Sequence, residues 1–250
     1  NTSHKAWAGR MAEATNTLVE SFSTSFPFDQ RLYAYDIAGS IAHCEMLGRQ
    51  GIIPKKEAQD IIRALRAIRS EFDNGTFEAH PGDEDIHMAI ERRLIERIGP
   101  VGGKLHTARS RNDQALLDFR LFLRDTTKDI ITLLTRLRRA LARLAARHAD
   151  VIMPGFTHLQ PAQPVLFAHH LLAYAAMLER DSGRFEDCLK RIDVLPLGSG
   201  ALAGTTFPID RRYVAKKLKF RAVSENSMDT VSDRDFAIEF LSATALVGMH

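Results

Sequence analysis

Two long runs of apolar residues at helical spacing constrain the fold of this chain more than any other feature of its sequence. From Leu116 to Leu144, steps of three and four residues separate the apolar side chains. They therefore share one face of a helix roughly 40 Å long, at about 1.5 Å per residue. A second run extends from Phe167 to Ile192. Because no segment alternates in the manner of a strand, the chain is predicted to be all-α.

Shorter helices are predicted on either side of the two long ones. Asp29 is a possible N-cap of a helix that ends before Gly51, and Pro54 opens the next helix. Acidic residues from Asp83 to Asp85 suit the first turn of a third helix, because the helix dipole favours negative charge there. The predicted shorter helices cover about 29–50, 54–73, 83–98, 210–218 and 232–249.

Composition argues against several classes of protein. With 34 basic and 31 acidic residues the net charge is +3, which does not indicate a nucleic-acid partner. The arginines between positions 136 and 147 are more simply a solvated helix face. No apolar run approaches the roughly 18 residues of a membrane span, and no secretory signal is recognisable. Cys44 and Cys188 form neither a zinc motif nor a disulfide framework, so we expect a cytoplasmic protein.

The two long helices have more apolar surface than a chain of this length can cover. Self-association is the expected way to bury the remainder.

One polar connection lies just before the first long helix and reads Gly102 to Asp113. Its glycines permit a tight turn, and Arg109, Ser110, Arg111 and Asn112 follow. Arginines beside a helix N-terminus can bind a carboxylate or a phosphate. The alternative, which stays open, is a helix cap with surface arginines.

A second polar connection presents Thr157, His158 and Gln160 between three prolines. Proline restricts the backbone, so these side chains are predicted to project from a stiff loop. A histidine can exchange protons near neutral pH. A lone histidine is more often structural, but the polar neighbours bring the two interpretations close to even.

Two further motifs give weaker evidence for a functional site. The segment Leu197–Thr206 is rich in glycine but lacks the G-x-G-x-x-G spacing and follows a helix, so it is predicted to be a tight connection and not a nucleotide-binding loop. Asp85, His87 and Glu91 could suggest a metal site, but no third ligand has suitable spacing, and a polar helix face is the simpler interpretation.

Taken in order, these segments resemble the argininosuccinate lyase family of the fumarase/aspartase superfamily. The resemblance runs over nearly the whole chain, and its motifs are specific within the superfamily. Ala108 stands where the family usually carries glycine, a change that we expect to be tolerated. The resembling segments are 83–87, 91–94, 103–113, 154–164, 195–204, 226–229 and 233–236.

The resemblance implies a reversible elimination of argininosuccinate to arginine and fumarate, without a cofactor or a metal. It also implies a homotetramer whose active sites combine loops of three subunits. By resemblance, His158 is the general acid or base. The implied substrate-binding residues are Ser25, Arg111, Asn112, Thr157 and, more weakly, Gln160; second-rank candidates are His87, Arg109, Ser110 and Arg234.

The chain departs from the family in one respect. The family segment Gly-Ser-Ser-x-Met-Pro-Gln-Lys-Lys-Asn-Pro, which holds a catalytic serine and a substrate-binding lysine, does not occur. We therefore expect an N-terminal portion that is inactive alone, with an N-terminal helical domain at 1–112 and the first part of a central helical bundle at 113–250. The alternatives are another lyase of the superfamily, acting on adenylosuccinate, fumarate or aspartate, and a catalytically silent, crystallin-like structural protein.

Overall fold

The computed structural model of the chain describes residues 16–80 and 82–250, and helices dominate it. The predicted all-α class is confirmed. Within the described part, no helix is both long enough and apolar enough to cross a membrane. The helices are α1 (Thr17–Ser23), α2 (Phe26–Asp29), α3 (Tyr33–Arg49), α4 (Lys55–Asp73), α5 (Ile86–Ile98), α6 (Arg111–Arg147), α7 (Phe167–Ile192), α8 (Arg211–Lys217), α9 (Ser227–Ser232) and α10 (Asp235–Met249), with 3-10 segments at Gln30–Leu32 and Gly99–His106. The short strands are β1 (Ile152–Thr157), β2 (Gln160–Leu166), β3 (Val194–Leu195) and β4 (Ala222–Val223).

The chain folds into two compact units. The first comprises the chain up to Phe119 together with Leu195–Val231, and the second comprises Arg120–Val194 together with Ser232–His250. Helix α6 begins in the first unit and continues into the second. These units differ from the division predicted at residue 112, because the chain returns to the first unit after α7. The predicted domain boundary stays a prediction.

The first unit is built around α3, α4 and α5, with α4 packed against both of the others. The apolar residues of α4 recur every three or four positions, and Ile61, Leu65 and Ile68 are completely buried. Pro54 is the N-cap of α4, and Gly75 follows its end with a φ of +68°. That left-handed conformation is accessible to glycine without strain, which explains why the helix ends there.

Helix α5 begins later than predicted, at Ile86 and not near Asp83. Asp85 is its N-cap and accepts a hydrogen bond from the Met88 backbone N–H at 2.6 Å. Asp29 was predicted to cap the helix that follows it, and that prediction is wrong. Its carboxylate instead accepts a bond from the Ile86 backbone N–H at 3.1 Å, so it helps to cap α5. A second helix can supply such a partner only after the tertiary fold has formed.

In the second unit, α7 packs against α10. The rings of Phe185 and Phe240 meet edge to face with centroids 5.7 Å apart. Several apolar side chains remain outside this core; Leu137 is 48% exposed and Leu241 is 64% exposed. Exposed leucines at helical spacing are consistent with the predicted self-association, which stays a prediction.

The connection that carries Thr157 and His158 forms a β-hairpin. The prediction of a stiff loop without strands is therefore wrong at this place. Strands β1 and β2 pair antiparallel, with Pro154 opposite Pro164. A two-stranded ribbon has two free edges, and proline is tolerated on an edge because no neighbouring strand needs its missing N–H. A register shift next to Gly155 marks a bulge. The prolines argued against a strand at this place in the sequence-based prediction.

Candidate functional site

The first turn of α6 presents the arginine and asparagine that the sequence singled out. Ser110 Oγ accepts a hydrogen bond from the Asn112 backbone N–H at 3.2 Å, and Asp113 Oδ1 accepts one from the Ser110 backbone N–H at 2.9 Å. The serine side chain thus binds the N–H of the second helical residue, and Asp113 binds back to the Ser110 N–H, as the acidic residue of a capping box does. Ser110 therefore defines where α6 begins, and Arg111 and Asn112 follow as its first helical residues.

Arg111 is half-buried and makes two side-chain hydrogen bonds. Its Nη1 donates to Gln114 Oε1 at 3.1 Å, and its Nη2 donates to Glu91 Oε2 at 3.3 Å. Nε lies 3.8 Å from Asp85 Oδ2, which is too long for a hydrogen bond. Asn112 is exposed, and its side-chain amide donates to the Ala201 carbonyl at 3.4 Å. Arg111 is thus held by neighbours on α5 and α6.

The glycine-rich segment after β3 packs against the start of α6. Asp113 is fully buried, and its Oδ2 accepts hydrogen bonds from the backbone N–H groups of Gly198 at 2.9 Å and Gly200 at 2.8 Å. Burial raises the pKa of this carboxyl, while the three backbone N–H donors oppose that rise. Since the chain's own carboxylate occupies these N–H groups, the segment is a tight connection, as the sequence predicted.

Ser25 lies beside the N-terminus of α5. Its Oγ donates to Asp29 Oδ2 at 2.5 Å, and its backbone N–H donates to the Glu84 carbonyl at 2.8 Å. Burial raises the pKa of Asp29, against the hydrogen bond from Ser25. Ser25, Asp29 and Asp85 therefore all gather at the start of one helix.

His87 is buried between two carboxylates that the sequence analysis did not identify. Its Nδ1 lies 2.9 Å from Asp36 Oδ1 and 3.2 Å from Asp118 Oδ2. Asp36 and Asp118 are 1% and 0% exposed. Both carboxylates lie on helices whose surrounding residues are apolar, and an isolated acid within an apolar stripe was the available signal.

The pKa values of the two carboxylates are shifted in opposite directions. Burial opposes the charged ring of His87, but the hydrogen bonds to Asp118 and Asp36 raise its pKa to about 10. Burial and the charge of Asp36 raise the pKa of Asp118 to about 8. Burial would also raise the pKa of Asp36, but the hydrogen bond from His87 and the charges of His87 and Arg109 hold it below its usual range. Asp36 is therefore the carboxylate that carries the negative charge at neutral pH.

Arg109 is the second cation near this cluster. Its Nη1 donates to Ser40 Oγ at 2.8 Å, while its buried Nε has no partner among the described residues. Burial lowers the pKa of this guanidinium, and the charge of Asp36 opposes the change. His87 and Arg109 therefore both act as counter-ions of the buried Asp36 carboxylate.

The same cluster could offer ligands to a metal, since one nitrogen of His87 and oxygens of Asp36 and Asp118 lie within 4.8 Å of one another. The third ligand that sequence spacing did not supply comes from other helices. One ring nitrogen of His87 lies within 3.2 Å of both carboxylates, and the Asp118 carboxyl has no other hydrogen-bond partner among the described residues. The expectation of a metal-free site stays a prediction.

The tip of the β1–β2 hairpin carries His158. Thr157 and Gln160 pair across the ribbon, leaving His158 and Leu159 as a two-residue turn. Both turn residues have positive φ, +51° and +62°, as in a type I′ turn, where asparagine and glycine are usually found. The side chains of Thr157, His158 and Gln160 are all exposed. The backbone thus directs a histidine into solvent at some conformational cost.

The predicted site residues fall in both units. In the first unit, Ser25, His87 and Arg111 lie around α5. Arg109 and Ser110 lie in the segment just before α6, and Asn112 lies in the first turn of that helix. The second unit holds the hairpin residues and Arg234, whose Nη1 donates to the Asp233 carbonyl at 2.7 Å. Sequence reasoning missed Asp36, Gln114 and Asp118.

Comparison with known proteins identifies relatives along the whole chain. A protein-family model described as lyase matches residues 9–250. The argininosuccinate lyase of Syntrophotalea carbinolica is 59% identical over 248 residues, which are 99% of this chain and 54% of that protein. The argininosuccinate lyase of Acinetobacter baumannii is 57% identical over 250 residues, which are 100% of this chain and 52% of that protein. The chain thus spans about half the length of the curated relatives that it matches.

Solved structures confirm the superfamily fold. EDDS lyase in complex with formate matches with a TM-score of 0.79 and 31% identity, over 87% of this chain and 43% of that chain. The fumarate lyase:delta crystallin from Brucella melitensis, bound to cobalt, matches with a TM-score of 0.75 over 93% of this chain and 57% of that chain. At 19% identity, the second match shows the fold alone.

Proposed function

Because the lyase family model matches residues 9–250, this chain belongs to the lyase family, and we propose that it is the N-terminal part of an enzyme that cleaves argininosuccinate reversibly into arginine and fumarate. The observation that carries this proposal is 55–59% identity to several argininosuccinate lyases over almost the whole chain. We further propose a cytoplasmic homotetramer that needs no cofactor.

The proposed reaction removes a proton from the carbon next to a substrate carboxylate. The electron pair of that C–H bond becomes the C=C bond of fumarate, the C–N bond breaks, and the departing guanidino nitrogen gains a proton. Negative charge collects on the carboxylate as the proton leaves, so cationic and amide donors nearby lower the barrier. A positioned acid or base must exchange the protons.

The described residues supply groups of these kinds. Arg111 and Asn112 lie at the N-terminus of a 37-residue helix, where the helix dipole favours an anion, and Arg111 can bind a carboxylate through two N–H groups. Ser25 and Thr157 offer hydroxyls, and Gln160 offers an amide. His158 is exposed on its hairpin and is the proposed acid or base.

Fumarate release from argininosuccinate, followed by ultraviolet absorbance, tests the proposal. We expect turnover by the full-length protein and none by these 250 residues alone, because the resemblance assigns a catalytic serine and lysine to a segment that this chain does not contain. Elimination from adenylosuccinate or aspartate, or hydration of fumarate, in place of argininosuccinate turnover would identify another lyase of the superfamily. Absence of turnover with all four substrates would favour a structural, crystallin-like protein.

A further inference from the structure

A chain of hydrogen bonds connects the predicted substrate-binding arginine to the buried cluster. Gln114 Nε2 donates to Asp36 Oδ1 at 2.5 Å, and Gln114 Oε1 accepts from Arg111 Nη1 at 3.1 Å. Gln114 is 3% exposed, so water does not replace either partner. One buried amide therefore contacts both an internal carboxylate and Arg111.

The charge on Asp36 determines which way the Gln114 amide faces. An ionised carboxylate only accepts hydrogen bonds, so the NH2 end of the amide must face Asp36 and the carbonyl end must face Arg111. The bond from His87 holds the pKa of Asp36 below its usual range despite burial, so this carboxylate is ionised near neutral pH. In a low-dielectric interior, the reversed amide would be strongly disfavoured.

The Gln114 carbonyl in turn helps to orient a guanidinium. Arg111 donates from Nη1 to Gln114 and from Nη2 to Glu91, and two bonds from different nitrogens restrict the plane of the group. Arginine has five N–H groups, and within the described residues only these two take part in hydrogen bonds. The remaining donors are available to a substrate carboxylate. A guanidinium held in advance loses less freedom when it binds.

We propose that Gln114 and Asp36 are positioning residues that hold Arg111 in the orientation in which it receives a substrate carboxylate. This inference rests on the proposed function, because it assumes that Arg111 binds substrate. It adds two residues, neither of which belongs to the set predicted to touch substrate. Their effect is transmitted through Arg111.

The first test replaces Gln114 with methionine, which has similar length and volume but makes neither hydrogen bond. In the full-length protein we expect KM for argininosuccinate to rise roughly tenfold while kcat changes by less than about twofold. In this proposal Arg111 binds a substrate carboxylate whose charge does not change as the proton leaves, so that Arg111 contributes equally to binding of the ground state and of the transition state. Partial unfolding would lower kcat per mole of protein and leave KM unchanged. Gln114→Leu is a second variant with the same expectation.

Asp83→Asn is the matched control. Asp83 is also a buried carboxylate beside α5, at 5% exposure, and it accepts bonds from Arg92 at 2.8 Å, but it does not contact Arg111. Loss of its charge should lower the melting temperature and leave KM unchanged. If Asp83→Asn raised KM as much as Gln114→Met, general loosening of the unit would explain the result, and the positioning role would be rejected.

A double-mutant cycle with Arg111→Lys separates this inference from the proposed function. If Gln114 acts through Arg111, then Gln114→Met should change KM by less than about twofold in the Arg111→Lys background, because coupled effects do not add. Additive effects would refute the positioning role while leaving the lyase activity intact. Loss of the proposed function would appear differently, because wild-type protein would not turn over argininosuccinate. An unchanged KM in Arg111→Lys would show that Arg111 does not bind substrate, and it would overturn the inference while leaving the lyase activity intact.

Discussion

His87 and His158 are held in opposite ways. His87 is 5% exposed on a helix, and two buried carboxylates lie within 3.2 Å of its Nδ1. His158 is exposed at a hairpin tip with a backbone φ of +51°, and its ring has no hydrogen-bond partner among the described residues. The first histidine is part of the interior, and the second is presented to solvent. Substitution should therefore affect stability at the His87 cluster and chemistry at His158.

The largest expected effect is on turnover at His158. Asparagine tolerates positive φ, so His158→Asn should preserve the turn while removing the acid–base group. We expect turnover of argininosuccinate by the full-length protein to fall by roughly 10²–10⁴-fold with an unchanged melting temperature. His169→Asn, at another exposed histidine, is the control. Unchanged turnover in His158→Asn would remove this residue from the mechanism.

The next largest expected effect is on stability, and it differs between the two carboxylates beside His87. Asp36→Asn removes the ionised partner of His87 and Arg109, and Asp118, which is then free of the charge of Asp36, can only partly replace it beside His87. We expect the free energy of unfolding to fall by roughly 2–3 kcal/mol. Asp118→Asn replaces a carboxyl that is already protonated at neutral pH, so we expect a change of about 1 kcal/mol or less. Urea unfolding at pH 7 measures both. Equal losses in the two variants would contradict the assignment of charge to Asp36.

The cluster should also make stability depend on pH. The pKa of His87 is raised from 6.5 to about 10, and that of Asp118 from 3.8 to about 8, so the folded state binds more protons between pH 6.5 and 8. The contribution of these two groups to the free energy of unfolding should therefore decrease as pH rises through this window, by on the order of 1 kcal/mol per pH unit for each group. Buried His43, whose pKa is lowered to about 3 by burial, contributes in the opposite direction, because only its unfolded form binds a proton near pH 6.5.

Asp118→Asn should remove the part of this slope that Asp118 contributes, and His158→Asn, altered at an exposed ring, should keep the slope of the wild type. Urea unfolding at pH 6.5, 7.2 and 8 measures how the free energy of unfolding depends on pH in the wild type and in each of the two variants. Equal slopes in the wild type and in Asp118→Asn would show that Asp118 does not hold an extra proton in the folded state.

The smallest expected effects on the free energy of unfolding come from backbone strain at Ala108. Ala108 has a φ of +60°, a conformation that costs a residue with a Cβ roughly 1 kcal/mol. We expect Ala108→Gly to raise the free energy of unfolding by roughly 0.5–1 kcal/mol. Ala173→Gly, the same change at an exposed position within α7, should lower it by a similar amount. The same sign for both variants would count against strain at Ala108.

Much of the helical framework could be predicted from local sequence. Helix α7 begins at Phe167 and ends at Ile192, where the apolar pattern begins and ends. The end of α4 and the start of α6 were also recognisable, because each depends on residues within one turn of the helix end. The β1–β2 hairpin was missed, because prolines that are acceptable on the edges of a two-stranded ribbon argue against a strand in any larger sheet.

The site was predictable only in part, for a related reason. Arg111, Asn112 and His158 belong to short motifs that can be read along the chain. Asp36 was missed because its partners His87 and Gln114 lie 51 and 78 residues away. No local pattern indicates which of two buried acids keeps its charge.

By itself, the sequence determined the helical class, the extent of the long helices and the motifs that relate this chain to lyases, because periodicity and capping act over a few residues. Tertiary structure alone decided that Asp29 caps α5, that Asp36 and Asp118 enclose His87, and that Gln114 connects this cluster to Arg111. Those contacts depend on which helices pack together. Once these groups are buried, water no longer solvates them, so their protonation and orientation depend on the neighbours that the fold supplies.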